Sequence, residues 1–161
     1  SPLQQLARSS GRSPWRTLAV EALALELAAT ALSVDPGIEP RRIPARDEAR
    51  VARVVRELET EPAAAHSLAT LAQRAAMSRY HFLRCFRRVT GVTPYHYLLN
   101  RRLALAAQRL REDSASVLQI ATDAGFADLS EFTRRFRAHF GRPPGAWRAQ
   151  FLHGGQARLL A

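Results

Sequence analysis

Residues 78–94 read S-R-Y-H-F-L-R-C-F-R-R-V-T-G-V-T-P, and residues 128–144 read D-L-S-E-F-T-R-R-F-R-A-H-F-G-R-P-P. At an offset of 50, Phe82, Arg84, Phe86, Arg87, Gly91 and Pro94 recur as Phe132, Arg134, Phe136, Arg137, Gly141 and Pro144. Chance gives about one such match in a stretch of this length, so this is an internal repeat. The copy extends upstream. Ser67, Leu71, Ala72 and Ala75 return at an offset of 49 as Ser116, Ile120, Ala121 and Ala124, so one residue is inserted beyond the turn.

Each copy has the parts of a helix-turn-helix. The first helix carries a small residue, Ala72 or Ala121, where the second must cross closely, and the turn carries Ala76 or Gly125. At about 100° per residue, Phe82, Phe86 and Val89 share one face of the second helix, with Tyr80, Arg84 and Arg87 opposite. In the second copy Phe132, Phe136 and His139 face inward, with Ser130, Arg134 and Arg137 outside. Those outward types read base edges or hold phosphates.

Working outward, helical stripes and stop signals predict seven helices from Asp47 onward. They are Asp47 to Glu59, with Val51, Val54, Val55 and Leu58 on a stripe; a short helix capped by Ser67; one capped by Ser78 and stopped by Gly91; a long one from Thr93-Pro94 to about Glu112; one from Ser116 to Ala124; one capped by Asp128, with Glu131 completing a capping box; and a last from Pro144 to Gln150. Residues 15–33 predict one further helix, and the Pro- and Gly-bearing stretch 35–46 a linker. Gly154 and Gly155 open an expected frayed tail, 154–161. The expected class is therefore all-α: two helix-turn-helix subdomains, about 67–91 and 116–141, joined by a long linker helix and preceded by an additional N-terminal helix. The linker helix, roughly nineteen residues at about 1.5 Å each, spans about 28 Å, which suits two recognition helices about one DNA turn, ~34 Å, apart.

Charge points the same way. The net charge is +10, and all 24 basic residues are Arg. From Pro62 to Arg111 there is no acidic residue but nine Arg: Arg74, Arg79, Arg84, Arg87, Arg88, Arg101, Arg102, Arg109 and Arg111. A merely solvated helix face mixes signs one turn apart, so a polyanionic partner is expected. The single Cys excludes an intrachain disulfide and fits a cytoplasmic protein. Cys85, His81 and His96 are one set of candidates for a nucleophile–base pair or metal ligands. They lack metal-ligand spacing and a clustered acidic partner, and Cys85 lies beside an apolar stripe. No catalytic residue, metal or cofactor is expected, and the chain is not read as an enzyme. Glu21 and Glu26 interrupt the apolar stretch 18–34, which is too short and charged to span a membrane. It also lacks the basic face of a membrane-surface helix. No Gly-rich loop or aromatic sheet pattern of an RNA binder is visible. There is no initiator Met, and the chain reads as a piece of something longer.

These segments resemble the AraC/XylS family of bacterial transcription regulators. The resemblance rests on Ser67-Leu68 with Leu71-Ala72, the run Ser78 to Phe86, Gly91 to Pro94 with Tyr97, Arg102-Leu103 and Ala107 to Leu110. It continues through Ile120-Ala121, Ala124-Gly125-Phe126, Phe132 to Phe136, Gly141, Pro144 and Trp147-Arg148, covering about residues 47–150. Two positions depart from the family. Ala76 stands where the usual residue is Gly, at a cost of about 1 kcal/mol if the backbone there is left-handed, and Pro143 replaces a small polar cap.

The resemblance implies sequence-specific binding of a double-stranded DNA operator by a bacterial transcription regulator at the cytoplasmic nucleoid; many members of the family are activators that contact RNA polymerase, and activator and repressor both stay open here. The DNA-binding domain is then 47–153. Base readout falls to Arg79, Tyr80, Leu83 and Arg84 in the first unit and to Leu129, Ser130, Glu131 and Arg134 in the second, with Arg87, Arg88, Thr133 and Arg137 on phosphates. Residues 1–34 are read as the tail of a preceding effector or dimerisation domain, or as a helix (15–33) forming a homodimer. A small-molecule effector would be bound by a domain absent from this chain. Phe82, Phe86, Phe126, Phe132, Phe136, Tyr97 and Trp147 are expected in the core.

Overall fold

The computed structural model describes Leu23, Ala24 and residues 42–156. The expected helix over 15–33 and residues 35–41 of the linker lie outside these, apart from Leu23 and Ala24, both helical and exposed. Among the described residues from 42 onward there are seven helices and no strand: α1 Ala45–Thr60, α2 Leu68–Arg74, α3 Arg79–Thr90, α4 Pro94–Glu112, α5 Val117–Asp123, α6 Leu129–Phe140 and α7 Pro144–Gln156. They fall into two compact units. The first comprises residues up to Thr60 with Ala65–Tyr97, and the second Glu61–Ala64 with Leu98 onward.

In the first unit α1 and α2 pack on α3. Val51, Val54 and Leu58 form the buried stripe of α1, and Asp47, one turn before Val51, is buried on it as well. The helix opens earlier than expected, at Ala45, because Pro44 O accepts from Asp47 N at 2.9 Å and Glu48 N at 3.1 Å. Phe82 and Phe86 anchor α3 with ring centroids 5.5 Å apart, and Tyr97 meets Phe86 edge-on while its hydroxyl donates to Glu59 Oε1.

The second unit repeats this plan with α5 on α6 and α6 on α7. Phe126, Phe132 and Phe136 are buried, and Phe140, Trp147 and Phe151 continue the ring contacts into α7. That packing explains a correction. The last helix runs to Gln156, through Gly154 and Gly155, where the tail was expected to begin. Phe151 rests on Trp147, and Arg111 lies 5.0 Å over its ring, so the turn beyond Gln150 has something to pack against.

The two turns match in hydrogen bonding. Met77 N donates to Ala72 O and Phe126 N to Ala121 O, each at 3.0 Å. Both turn residues are left-handed: Gly125 at φ +92°, and Ala76 at φ +52°, the only non-Gly residue with positive φ among those described. Gly125 also leaves space that a side chain would occupy, since a Cβ there would sit 2.9 Å from Arg102 Cζ and 3.0 Å from Ala63 O.

Candidate nucleic-acid interface

The candidate recognition helices α3 and α6 begin on matched caps. Ser78 Oγ accepts from His81 N at 3.2 Å, and Asp128 Oδ1 from Glu131 N at 2.9 Å. Both end on a left-handed Gly, Gly91 at φ +80° and Gly141 at φ +75°, whose N–H donates to Arg87 O or Arg137 O. Ser67 and Ser116 cap the preceding helices in the same way, accepting from Thr70 N and Gln119 N. Local chemistry thus fixes where each recognition helix starts and stops.

On α3, Arg79, Tyr80, Arg84, Arg87 and Arg88 are exposed. Arg84 lies 5.9 Å over the Tyr80 ring and its Nη2 donates to His81 Nδ1 at 3.4 Å, so the guanidinium is supported from two sides. Leu83 does not belong to this face. It is 3% exposed, packed into the unit beside Phe82 and Phe86. Val89, expected inward, is exposed at 37%, because α3 is in its last turn there.

On α6, Leu129, Ser130, Arg134 and Arg137 are exposed, and Glu131 and Thr133 half-buried. Leu129, Ser130, Thr133, Arg134 and Arg137 line one open surface groove that continues to Ala138 and Gly141. Five of the six residues proposed on this helix thus share a groove. Glu131 points its Oε1 toward Arg134 at 3.7 Å and Arg135 at 3.9 Å. His139, expected inward, is exposed at the end of the helix.

The acid-free run of arginines divides sharply. Arg102 is 4% exposed and donates to Pro62 O at 2.7 Å, Gly125 O at 2.9 Å and Ala64 O at 2.9 Å. Burial pulls its guanidinium down to about 10, which leaves it charged at neutral pH. Arg102 is a clamp holding residues 62–64 to the turn of the second unit, a role invisible to a charge count. Arg109 pairs with Asp113 at 2.7 Å and Asp123 at 2.6 Å, and the two carboxylates raise its pKa further. Arg74 is ion-paired with Glu57. Arg79, Arg84, Arg87, Arg88, Arg101 and Arg111 keep exposed positions.

One neighbourhood differs from the expectation outright. A clustered acidic partner does exist for His81 and Cys85: Asp47 Oδ2 lies 2.9 Å from His81 Nε2. The hydrogen bond from His81 holds the Asp47 carboxyl below its ordinary 3.8, and burial raises the Cys85 thiol. Asp47 is 34 residues from His81 in sequence, and its only signal was an acid on the apolar stripe of α1.

A family model described as a "Helix-turn-helix domain" matches residues 71–150. The chain is 36% identical over 99 residues to the RCS-specific HTH-type transcriptional activator RclR of Escherichia coli, covering 62% of this chain and 35% of that protein. It is 31% identical over 94 residues to the multiple antibiotic resistance protein MarA of Salmonella typhimurium, covering 58% of this chain and 74% of MarA. The chain thus spans about a third of one relative and three quarters of the other. Among solved structures, the DNA-binding domain of the global transcriptional factor AdpA, in complex with a target DNA, superimposes with a TM-score of 0.61. The sequences are 33% identical, and the match covers 63% of this chain and 92% of that one. Among the described residues no helix is long and apolar enough to cross a membrane.

Proposed function

The chain belongs to the AraC-type helix-turn-helix family of transcription regulators, and on that premise we propose that residues 47–153 bind a double-stranded DNA operator sequence-specifically. The family and the fold are those of DNA-binding regulators, not enzymes. The observation that carries the reading is the duplication itself. Two helix-turn-helix units, with caps at equivalent positions and a left-handed residue in each turn, each leave an exposed polar face on the second helix.

In this reading α3 and α6 enter successive major grooves of one duplex. Arg79, Tyr80 and Arg84 read bases from α3; Leu129, Ser130, Glu131 and Arg134 read them from α6. Arg84 and Arg134 suit the N7 and O6 acceptors of guanine, which a guanidinium meets with two parallel hydrogen bonds. Arg87, Arg88, Thr133 and Arg137 hold phosphates, with the left-handed glycines bringing the helix ends close to the backbone. Leu83, being buried, supports the face instead of reading a base. The chain acts as an activator that contacts RNA polymerase, in keeping with the name of RclR, in the cytoplasm at the nucleoid. Residues 15–33 serve as a dimerisation helix or as the end of an effector domain, and any small-molecule effector binds outside 47–153.

Selection of bound fragments from genomic DNA, followed by titration of the enriched site against a scrambled duplex over a range of salt, tests the proposal. The expected result is a preference for the enriched site and an affinity that falls as salt rises, by about 0.9 in log K per log salt for each phosphate contact. Equal affinity for both duplexes refutes sequence-specific binding.

A further inference from the structure

We propose that Asp47, His81 and Cys85 form a binding site for a borderline-soft divalent metal ion such as Zn2+, fixing α1 to the recognition helix α3. The three residues offer carboxylate oxygen, imidazole nitrogen and sulfur within 4.8 Å of one another. Nε2 of His81 is the hub, 2.9 Å from Asp47 Oδ2 and 3.7 Å from Cys85 Sγ. Ligand atoms around a tetrahedral zinc ion, with bonds of about 2.0–2.3 Å, lie roughly 3.3–3.6 Å apart. The observed separations bracket that range, so small side-chain rotations complete the three-ligand set.

The surroundings fix the class of ion. Arg46 and Arg50 approach Asp47 through Oδ1, each at 3.7 Å, and Arg84 approaches His81 through Nδ1. The guanidiniums therefore contact other atoms than the three ligands, and Cys85 Sγ, 3.7 Å from Nε2 and 3.9 Å from Nδ1, lies beside the imidazole and turns toward Nε2 to ligate. They nonetheless oppose any cation electrostatically, which disfavours the hard ions Mg2+ and Ca2+. A metal that bonds strongly to thiolate and imidazole overcomes this opposition. Asp47 and Cys85 are buried, whereas the His81 side chain is 34% exposed. The fourth coordination position thus opens to water past the imidazole edge, the arrangement of an exchangeable site and not of a closed structural one.

The protons balance simply. As Sγ bonds the ion its thiol proton leaves to solvent. The imidazole stays neutral, giving up the Nε2 proton and carrying one on Nδ1, so the Arg84 guanidinium, which has no acceptor, gives up its hydrogen bond to Nδ1 and turns to solvent. The alternative is a His–Asp hydrogen bond with a bystander thiol, and it binds no ion through sulfur.

Cobalt separates the two. The full 161-residue chain is titrated with Co2+ while thiolate-to-cobalt charge transfer is followed in the near ultraviolet. Cys85 is the single Cys, so such a band has one source. The expected result is a band that saturates at one ion per chain, is bleached by Zn2+ and is absent in Cys85→Ser. Loss of an outer-shell partner already costs about 10–100-fold in affinity, so His81→Gln and Asp47→Asn, which remove direct ligands, weaken binding at least about tenfold. Absence of the band at about 1 mM Co2+, or an affinity that His81→Gln and Asp47→Asn leave unchanged, overturns the proposal. Helical circular dichroism verifies each variant, and where one has unfolded the wild-type spectrum decides.

Discussion

Replacing Gly125 by Ala breaks the turn of the second unit in two ways that add. At φ +92° an alanine bears the left-handed penalty, about 1–2 kcal/mol. Its Cβ would also sit 2.9 Å from Arg102 Cζ and 3.0 Å from Ala63 O. The backbone carbonyl belongs to a segment held by the clamp, so the guanidinium yields first. Losing one of its three carbonyl partners leaves a buried charge poorly satisfied, worth about 1.5–3 kcal/mol. The expected loss is about 3–5 kcal/mol, a large fraction of the 5–15 kcal/mol typical of a domain. Ala76→Gly is the mirror experiment, relieving a left-handed alanine at φ +52° and stabilising the first unit by about 1 kcal/mol. Urea unfolding gives both values. With Trp15 replaced by Phe, Trp147 is the one tryptophan left and reports on the second unit through its contacts with Phe136 and Phe140. A loss in Gly125→Ala below about 2 kcal/mol, no more than the left-handed strain alone, refutes the role given to the Arg102 clamp.

Arg84→Ala and Arg134→Ala each cost about 1–3 kcal/mol on the cognate duplex and relax selectivity at one position, whereas Arg87→Ala weakens all sequences alike. Uniform and equal losses in competition titrations would contradict this division of roles. Leu83→Ala lowers the stability of the first unit by about 2–5 kcal/mol, and chemical unfolding that leaves it as stable as wild type would return Leu83 to the exposed face. For Asp47→Asn the pH dependence has a definite sign. The folded carboxyl titrates below 3.8, chiefly because His81 hydrogen-bonds to it, so its contribution is full above that value and is lost as pH falls through the folded pKa. The stability gap between wild type and Asp47→Asn therefore closes below pH 3.8, and acid unfolding curves that keep a constant gap would exclude the pair.

Caps, turns and stops were legible in the sequence because each is settled within a few residues. Ser67, Ser78, Ser116, Asp128, Gly91 and Gly141 act on backbone groups three or four positions away, and the repeat states them twice. Faces were legible only where the neighbours could be guessed. The buried arc of α3 covers Phe82, Leu83, Cys85 and Phe86, wider than the Phe132 and Phe136 of α6. α1 packs on α3, and its Asp47 reaches His81. Leu83 is buried within that wider arc, which takes it off the exposed face. Val89 and His139, placed inward by the same one-face rule, are exposed in the last turns of their helices.

The arginines carry the same lesson about long-range information. Nine of them in a stretch without acids looked like one electrostatic footprint, yet Arg102, Arg109 and Arg74 are committed to carbonyls or carboxylates. Of the acids that neutralise them, Glu57 lies before the run and Asp113 and Asp123 after it. An acid-free stretch of sequence is therefore not an acid-free surface. The consequence for binding is numerical. If Arg87, Arg88 and Arg137 are the cationic phosphate contacts, the log–log salt slope is about −3, and adding Arg79, Arg84 and Arg134 takes it only to about −5. A slope near −9, matching the whole net charge of +10, requires further exposed arginines such as Arg101, Arg111 and Arg142 to reach phosphates as well. Three bonds hold Arg102 and two carboxylates hold Arg109, so neither is expected to add to the slope.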